Sequence, residues 1–398
     1  MKILFKTLGC RLNQAEEDLY KEELSKKGFI IVNRKPFDVA VINTCAVTHK
    51  AERESRQAIR QLKKQCPKTK IIMTGCSNFK LPEVDYYIKD KEKFVEKFLH
   101  HISSPSTRMW RGGEEGVRKT RANIKIQTGC DNHCTYCYTR IARGKSRSIN
   151  PKNIIQQIKN KEKQHIKEVV LTGVNIGQYK YQKLNLTALI RKILQETKIP
   201  RIRLSSINPE YVYQNKKFKD LFENNRLCQH LHLSLQFGSN KILKAMNRHY
   251  TAEQYLKIIK DYYKSYPLFG FTTDVIVGFP GETEKDFIKT CNFVKKCGFL
   301  KIHIFRYSTR TGTAAAKMAG QISDEEKNSR AKILQEINKH LQEKFKKKMQ
   351  GKKINVLFES KRGNQWFGYA NNYLPVLYQY QCAENLENQL LTIKLAKN

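Results

Sequence analysis

The sequence predicts a multidomain α/β chain. It has a parallel-sheet α/β domain at the N-terminus, a central partial (β/α)6 barrel, and a small antiparallel β-barrel at the C-terminus. Three observations lead there. At 398 residues the chain is too long for one ordinary core. From residue 2 to about 307, strand-like runs alternate with helix-like segments, the pattern of parallel strands with covered faces. Residues 349–398 hold short strands bounded by Gly and Asn turns instead. The expected division is 1–102, a Ser/Pro/Gly-enriched linker over 103–120, 121–348 and 349–398.

The N-terminal elements repeat one unit. A strand KILFKTL (2–8) ends at Gly9-Cys10, and a helix is expected after Asn13, with Asn13 and Glu16 at capping-box spacing and Gly28 as its stop. A second strand, DVAVIN (38–43), ends at Thr44-Cys45, followed by a helix over about 48–65. A third, KIIMTG (70–75), ends at Cys76. Right-handed helical crossovers make such strands parallel, so their C-terminal ends share one edge, where open α/β sheets place ligands. Cys10, Cys45 and Cys76 are therefore expected to converge and to hold an iron–sulfur cluster with one open iron. The alternative is three coincidental small residues.

The central region opens with IKIQTGCDNHCTYCY (124–138), a strand running through Gly129 into a loop with Cys130, Cys134 and Cys137. Three thiolates this close can reach three irons of one cubane and leave the fourth iron for S-adenosylmethionine (SAM). A zinc site completed by His133 is the competing reading. Further strands are expected at 167–174, 201–207, 230–236, 271–279 and 301–307, with helices at 151–164, 252–264 and 283–296. Polar residues stand at the strand ends, where barrels of this kind carry their chemistry: Thr172, Gly173, Asn175, Ser205, Ser206, Gln236, Asp274, Gly281 and Glu282. Each of them also suits a cap or a turn.

At the C-terminus, Ser323 and Glu326 signal the start of a long helix reaching about Met349 and ending in KFKKKMQGKK. Strands follow over 353–360, 364–380 and 388–398. Lys352, Lys353, Lys361 and Arg362 are candidates for phosphate contacts. Trp366, Phe367, Tyr369 and Tyr373 could stack on bases, but most are expected in the core of so small a domain.

The charge predicts a polyanionic partner, most simply nucleic acid. Seventy-five Lys and Arg against 36 Asp and Glu give a formal net charge of +39. Lysine drift on solvated faces is the alternative source. No run approaches the roughly 18 apolar residues of a membrane span, and MKILFKTLGC lacks a secretory apolar region, so a cytoplasmic protein is expected. Of eleven cysteines, Cys66, Cys228, Cys291, Cys297 and Cys382 read as plain thiols.

Taken together these blocks resemble the radical SAM methylthiotransferases. The resemblance rests on TLGCRLNQ (7–14), VINTCAVT (41–48), MTGC (73–76), IQTGCDNHCTYC (126–137), ARGKSRS (142–148), LTGVNIGQY (171–179), RLSSI (203–207), HLHLSLQ (230–236), MNRHYT (246–251), TTDVIVGFPGET (272–283) and YSTRTGTAAAKM (307–318). TLGCRLNQ, the block 43–57 and the Ile126-Gln127 pair look like the branch acting on threonylcarbamoyl-adenosine of tRNA.

The resemblance implies two [4Fe-4S] clusters and two SAM per turnover. The Cys130/Cys134/Cys137 cluster would be reduced by a flavodoxin or ferredoxin and would cleave SAM. The resulting deoxyadenosyl radical would take hydrogen from C2 of the adenine. The Cys10/Cys45/Cys76 cluster would hold sulfur from a separate source, which a second SAM methylates before transfer to C2. The base 3′ of the anticodon would be flipped into a pocket between the domains. Tyr136 would lie near the SAM adenine, the other strand-end residues would line its pocket, and 349–398 would be a TRAM-like RNA-binding domain of a monomeric enzyme. The sequence departs from the family pattern at Ser77-Asn78, His133, Tyr138-Thr139-Arg140 and Asn208. The rival readings are the isopentenyl-adenosine branch, the ribosomal-protein aspartate branch, and an iron–sulfur or zinc RNA-binding protein without enzymatic activity.

Overall fold

The computed structural model describes residues 1–102, 120–379 and 384–396. The expected linker, apart from Thr120, and Cys382 lie outside them. Contacts group the described residues into two compact units, one of 1–102 with Tyr138–Gly144, the other of 120–137 with everything from Lys145 onward.

The first unit is a parallel sheet of β1 (Lys2–Thr7), β2 (Ile30–Val32), β3 (Val39–Thr44), β4 (Lys70–Gly75) and β5 (Tyr86–Tyr87), in the order β2-β1-β3-β4-β5. Its helices are α1 (Arg11–Lys26), α2 (His49–Gln65) and α3 (Phe94–His101). Every residue of β3 is buried, as suits a central strand covered on both faces. Thr48 caps α2 by accepting from the Ala51 N–H. Gly28 follows the end of α1 at φ +85, as expected of a helix stop. The start of α1 differs from expectation. Cys10 takes the N-cap position, and Asn13 and Glu16 lie inside the helix, buried and committed to other partners. They form no capping box, because tertiary hydrogen bonds claim both side chains.

The second unit contains six parallel strands: β6 (Arg121–Lys125), β7 (Glu168–Thr172), β8 (Arg201–Leu204, continued by Ser206–Ile207), β9 (His230–Leu233), β10 (Gly270–Val277) and β11 (Lys301–Arg306). Register pairs them in chain order, β6-β7-β8-β9-β10-β11. The crossovers include α5 (Pro151–Lys163), α6 (Leu186–Glu196), α7 (Ala252–Ser265) and α8 (Glu284–Cys297), while the short α4 (Thr139–Arg143) belongs to the first unit. Thr251 and Thr283 each close a full capping box on the helix that follows.

The same unit ends in α9 (Asp324–Met349) and a sheet of β12 (Lys353–Arg362), β13 (Gln365–Ala370), β14 (Pro375–Gln379) and β15 (Leu390–Lys394). Ser323 caps α9 as expected. The sheet is antiparallel in the order β14-β13-β12-β15. The single segment expected at 364–380 breaks into two strands at 371–374, where Asn372 turns inward and donates to the Leu268 carbonyl at 2.9 Å. A Cβ at Gly270 would lie 1.9 Å from the Asn372 carbonyl oxygen, so only glycine lets this turn approach β10.

Candidate active site

The first unit brings its three strand ends together. The register sets Thr7 beside Asn43 and Thr44 beside Gly75, so the cysteines that follow share the carboxyl edge of the sheet. The Cys76 N–H donates to the Thr44 carbonyl at 3.0 Å, and the Ser77 hydroxyl donates to the Cys45 carbonyl at 2.9 Å. Ser77, a departure from the family pattern, thus ties two of the cysteine loops. Asn13, read from sequence as part of a cap, donates to the Thr44 carbonyl at 2.9 Å and to Asn43 Oδ1 at 3.2 Å. Burial raises the Cys45 thiol above its ordinary pKa, and the Cys76 and Cys10 thiols raise it further.

Glycine makes room for this triad. A Cβ on Gly9 would lie 2.8 Å from Cys45 Cβ and 3.2 Å from Cys45 Sγ, and Gly9 has φ +123. Gly9→Ala combines a strained backbone with a clash against Cys45. If the triad holds the iron–sulfur cluster expected of it, this change should abolish iron binding by the unit and cost roughly 1–3 kcal/mol, read by iron content and thermal melting. Iron content equal to wild type would contradict it.

Two residues missed from sequence stand at Cys76. Arg143 Nε donates to Cys76 Sγ at 3.1 Å and Lys91 Nζ at 3.3 Å. Arg143 lies in the ARGKSRS block, but nothing in the spacing tied that block to a cysteine 67 residues earlier.

In the second unit, Cys130, Cys134 and Cys137 lie on the loop after β6. Gln127, fully buried, fastens the start of this loop. Its amide donates to the Gly129 carbonyl at 2.7 Å and to Ser146 Oγ at 2.9 Å. Its carbonyl accepts from the N–H groups of Val174 and Asn175 at 3.0 and 3.1 Å. A Cβ on Gly173 would meet Gln127 Oε1 at 2.7 Å. Gly173 is therefore required for packing, whatever else it contacts. Gln178 accepts from the Asp131 N–H, and Asn247 donates to the His133 carbonyl at 2.9 Å. Burial pushes the Cys130 thiol up to about 11, with the Cys137 and Cys134 thiols adding to it. Arg248 Nη1 donates to Cys134 Sγ at 3.4 Å, and its Nη2 donates to Asn208, another departure from the family pattern, at 3.0 Å. Tyr136 packs against the barrel core.

The strand-end residues divide by what they touch. Asn175 Oδ1 and Ser205 Oγ are buried without a hydrogen-bond partner, which leaves them available to a polar ligand. Thr172 is buried and Ser206 half-buried. Gln236 has φ +69, a conformation rare outside glycine, which marks a strained strand end. Asp274 already binds His232 Nε2 at 3.2 Å. Burial alone would raise its pKa, but His232 and His303 hold it below the usual carboxylate value. Glu282 turns out to be a loop latch, accepting from the Gly278 and Phe279 N–H groups and pairing with Arg330 at 2.8 Å.

Lys352, Lys353, Lys361 and Arg362 are all exposed. Trp366 and Phe367 are buried, as expected of core aromatics. Tyr369 and Tyr373 stack on each other at 4.8 Å, and Arg121 and Arg203 lie over their respective rings.

The residues fit the groups that the sequence implies. Each triad offers three thiols on one edge or loop, with a cationic donor at one of them. Among the described residues no three His, Cys, Asp or Glu side chains close on a single ion. A cubane does not require that, because each thiolate binds a different iron.

Comparison with known proteins gives two family matches: the radical SAM superfamily over residues 124–294, and the uncharacterized protein family UPF0004 over residues 2–94. The threonylcarbamoyladenosine tRNA methylthiotransferase MtaB of Aquifex aeolicus is 37% identical, over 90% of this chain and 92% of its own. The MtaB of Bacillus subtilis is 32% identical over 99% and 94%. The tRNA-2-methylthio-N(6)-dimethylallyladenosine synthase of Thermodesulfovibrio yellowstonii is 37% identical over 90% and 88%. Among solved structures, the radical SAM methyltransferase TsrM of Kitasatospora setae, with cobalamin and a [4Fe-4S] cluster bound, matches in fold with TM-score 0.59 and 12% identity, over 79% of this chain and 77% of that one.

Proposed function

The chain belongs to the radical SAM tRNA methylthiotransferases of the MtaB type, and we propose that it converts the C2–H of N6-threonylcarbamoyladenosine beside the tRNA anticodon into C2–SCH3. When bound, the clusters and SAM supply the carbon radical and the methylated sulfur that this conversion needs. Cys130, Cys134 and Cys137 would hold the SAM-binding cluster. Cys10, Cys45 and Cys76 would hold the sulfur-bearing one. The observation that carries this reading is the presence of two separate cysteine triads, one on a barrel loop and one on a parallel sheet edge.

The protein's own part is placement. Gln127 holds the cysteine loop against the turn carrying Asn175. Asn175 and Ser205 present unsatisfied polar atoms for SAM, with Thr172, Ser206, Gln236 and Asp274 around the same strand ends and Tyr136 toward the adenine. Lys352, Lys353, Lys361 and Arg362 would neutralise tRNA phosphates. A one-electron reductant of the flavodoxin or ferredoxin class and a sulfur source complete the reaction.

The relative from T. yellowstonii favours a second substrate, isopentenyl-type adenosine, because it matches this chain as well as the A. aeolicus enzyme does. Expression in a host lacking the methylthio form of threonylcarbamoyladenosine, followed by mass spectrometry of tRNA nucleosides, decides between them. We expect that nucleoside to gain the mass of CH2S. Gain only on isopentenyl-adenosine would overturn the substrate assignment. No change in any tRNA, with both clusters loaded and a reductant supplied, would turn the search to a ribosomal-protein aspartate.

A further inference from the structure

The three thiols of the sheet-edge triad are not equivalent. Cys10 Sγ faces Asn13 Oδ1 at 3.6 Å, and Cys45 is buried. Cys76 instead receives two cationic donors, Arg143 Nε at 3.1 Å and Lys91 Nζ at 3.3 Å. Arg143 is held rigidly. Its Nη1 donates to Glu16 Oε1 at 2.7 Å, and its Nη2 donates to Asn13 Oδ1 at 2.6 Å and to Glu16 Oε2 at 3.1 Å. Both partners are almost fully buried, with side-chain exposures of 3% and 1%. Glu16 also faces Lys91, with Oε2 3.7 Å from Nζ.

Charge and geometry point the same way. A fork-to-fork ion pair with Glu16 uses the two terminal nitrogens of Arg143 and leaves Nε spare, and that third donor is turned onto sulfur. The single carboxylate of Glu16 faces both Arg143 and Lys91, so two cationic donors and one carboxylate are gathered at Cys76. Hydrogen bonds to cluster sulfurs and net charge are two of the factors that set a cluster's reduction potential.

We propose that Arg143, aimed by Glu16 and Asn13, is a positioning residue for the Cys10/Cys45/Cys76 cluster. It orients Cys76 as a thiolate ligand and, with Lys91, makes that cluster easier to reduce than a neutral pocket would. This rests on the reading that the triad holds a cluster. Glu16 opposes the effect, so the two residues have opposite signs. An ion pair with a purely structural role would give both variants the same sign or none.

The test uses the full chain with Cys130→Ala, Cys134→Ala and Cys137→Ala, so that only the sheet-edge cluster is present. The protein is reconstituted with iron and sulfide and titrated anaerobically with dithionite while the reduced cluster is followed by electron paramagnetic resonance. Adding Arg143→Met together with Glu16→Gln removes both charges and avoids an orphaned buried carboxylate. With Lys91 still in place the net charge beside Cys76 is unchanged, so the variant isolates the lost hydrogen bond from Arg143 Nε. At a fixed potential it should show about tenfold less reduced cluster relative to oxidised, a shift of about 59 mV for a one-electron couple. Glu16→Gln alone should shift the ratio the other way, and Arg143→Lys should recover part of the loss. Shifts of the same sign in the Met/Gln and Glu16→Gln variants, or no shift in either, would overturn the inference. A parent protein that takes up no cluster would overturn the cluster reading itself, and the inference with it.

Discussion

Cys130→Ala should leave a folded protein that releases no 5′-deoxyadenosine and adds no methylthio group to tRNA. The loop around it is held by Gln127, Gln178 and Asn247 and not by the thiol, so the loss should fall on chemistry more than on stability. With one of three ligands gone, the barrel cluster cannot keep an open fourth iron for SAM. On the proposed two-cluster reading the chain should keep roughly half of its iron, the share of the sheet-edge triad. Chromatographic assay of deoxyadenosine under dithionite, beside iron analysis, checks this. Continued SAM cleavage would remove Cys130 from the ligand set. Cys297→Ala is the contrast. Cys297 is buried in the barrel core and burial alone raises its thiol pKa, so its loss should cost packing and leave SAM cleavage intact.

Glu168→Ala should be the most destabilising single change outside the cysteine sites. Glu168 is fully buried at the start of β7. It pairs with Arg203 at 2.7 Å and Arg201 at 2.9 Å, with Arg121 at 4.0 Å. Arg201 and Arg203 also donate to the carbonyls of Tyr369 and Ala370 in the C-terminal sheet and of Asn371 in the turn that follows. Deleting the carboxylate leaves buried guanidinium charge with too little compensation, a loss of about 3–5 kcal/mol. In a unit of this size that lowers Tm by on the order of 10 °C. The C-terminal sheet should become the first target in limited proteolysis. Lys192→Ala, breaking an exposed pair with Glu196, should change stability by less than about 0.5 kcal/mol. A melt of Glu168→Ala indistinguishable from that of Lys192→Ala would refute this account.

The same carboxylate makes the second unit acid-sensitive. Burial would raise the pKa of Glu168, but Arg203 and Arg201 outweigh it and hold the group far below the ordinary value. A depressed folded pKa contributes stability that is fully present above the unfolded value of about 4.3 and is lost as pH falls below it. Thermal melts of wild type should therefore fall progressively as the pH drops below about 5, with the fall continuing to the lowest pH tested, and Glu168→Ala should flatten part of that drop.

How much was legible in sequence depended on the range of the interaction. The strand-end cysteines could be read because alternation, crossover handedness and strand polarity are local or topological. Thr48, Ser323 and Gly28 could be read because a cap is fixed within four residues. Asn13 and Glu16 had the same local signature and did something else. Partners 30 and 127 residues away outcompeted the helix end for their side chains. Within 364–380 the Asn371-Asn372 pair is a local turn signal, but the partner that fixes the break, the Leu268 carbonyl about a hundred residues earlier, is recorded nowhere in the local pattern.

The sequence by itself therefore determined the division into α/β and antiparallel regions, the parallel direction of the strands, and the placing of six cysteines at three strand ends and on one loop. All of these follow from periodicity, turn residues and spacing. The tertiary structure alone decided which charged groups stand against those thiols, Arg143 and Lys91 at Cys76 and Arg248 at Cys134. It also decided that Glu168 joins the barrel strands to the C-terminal sheet through Arg201 and Arg203. A buried charge has to find its partner wherever the chain brings one, and no local pattern in the sequence records that choice.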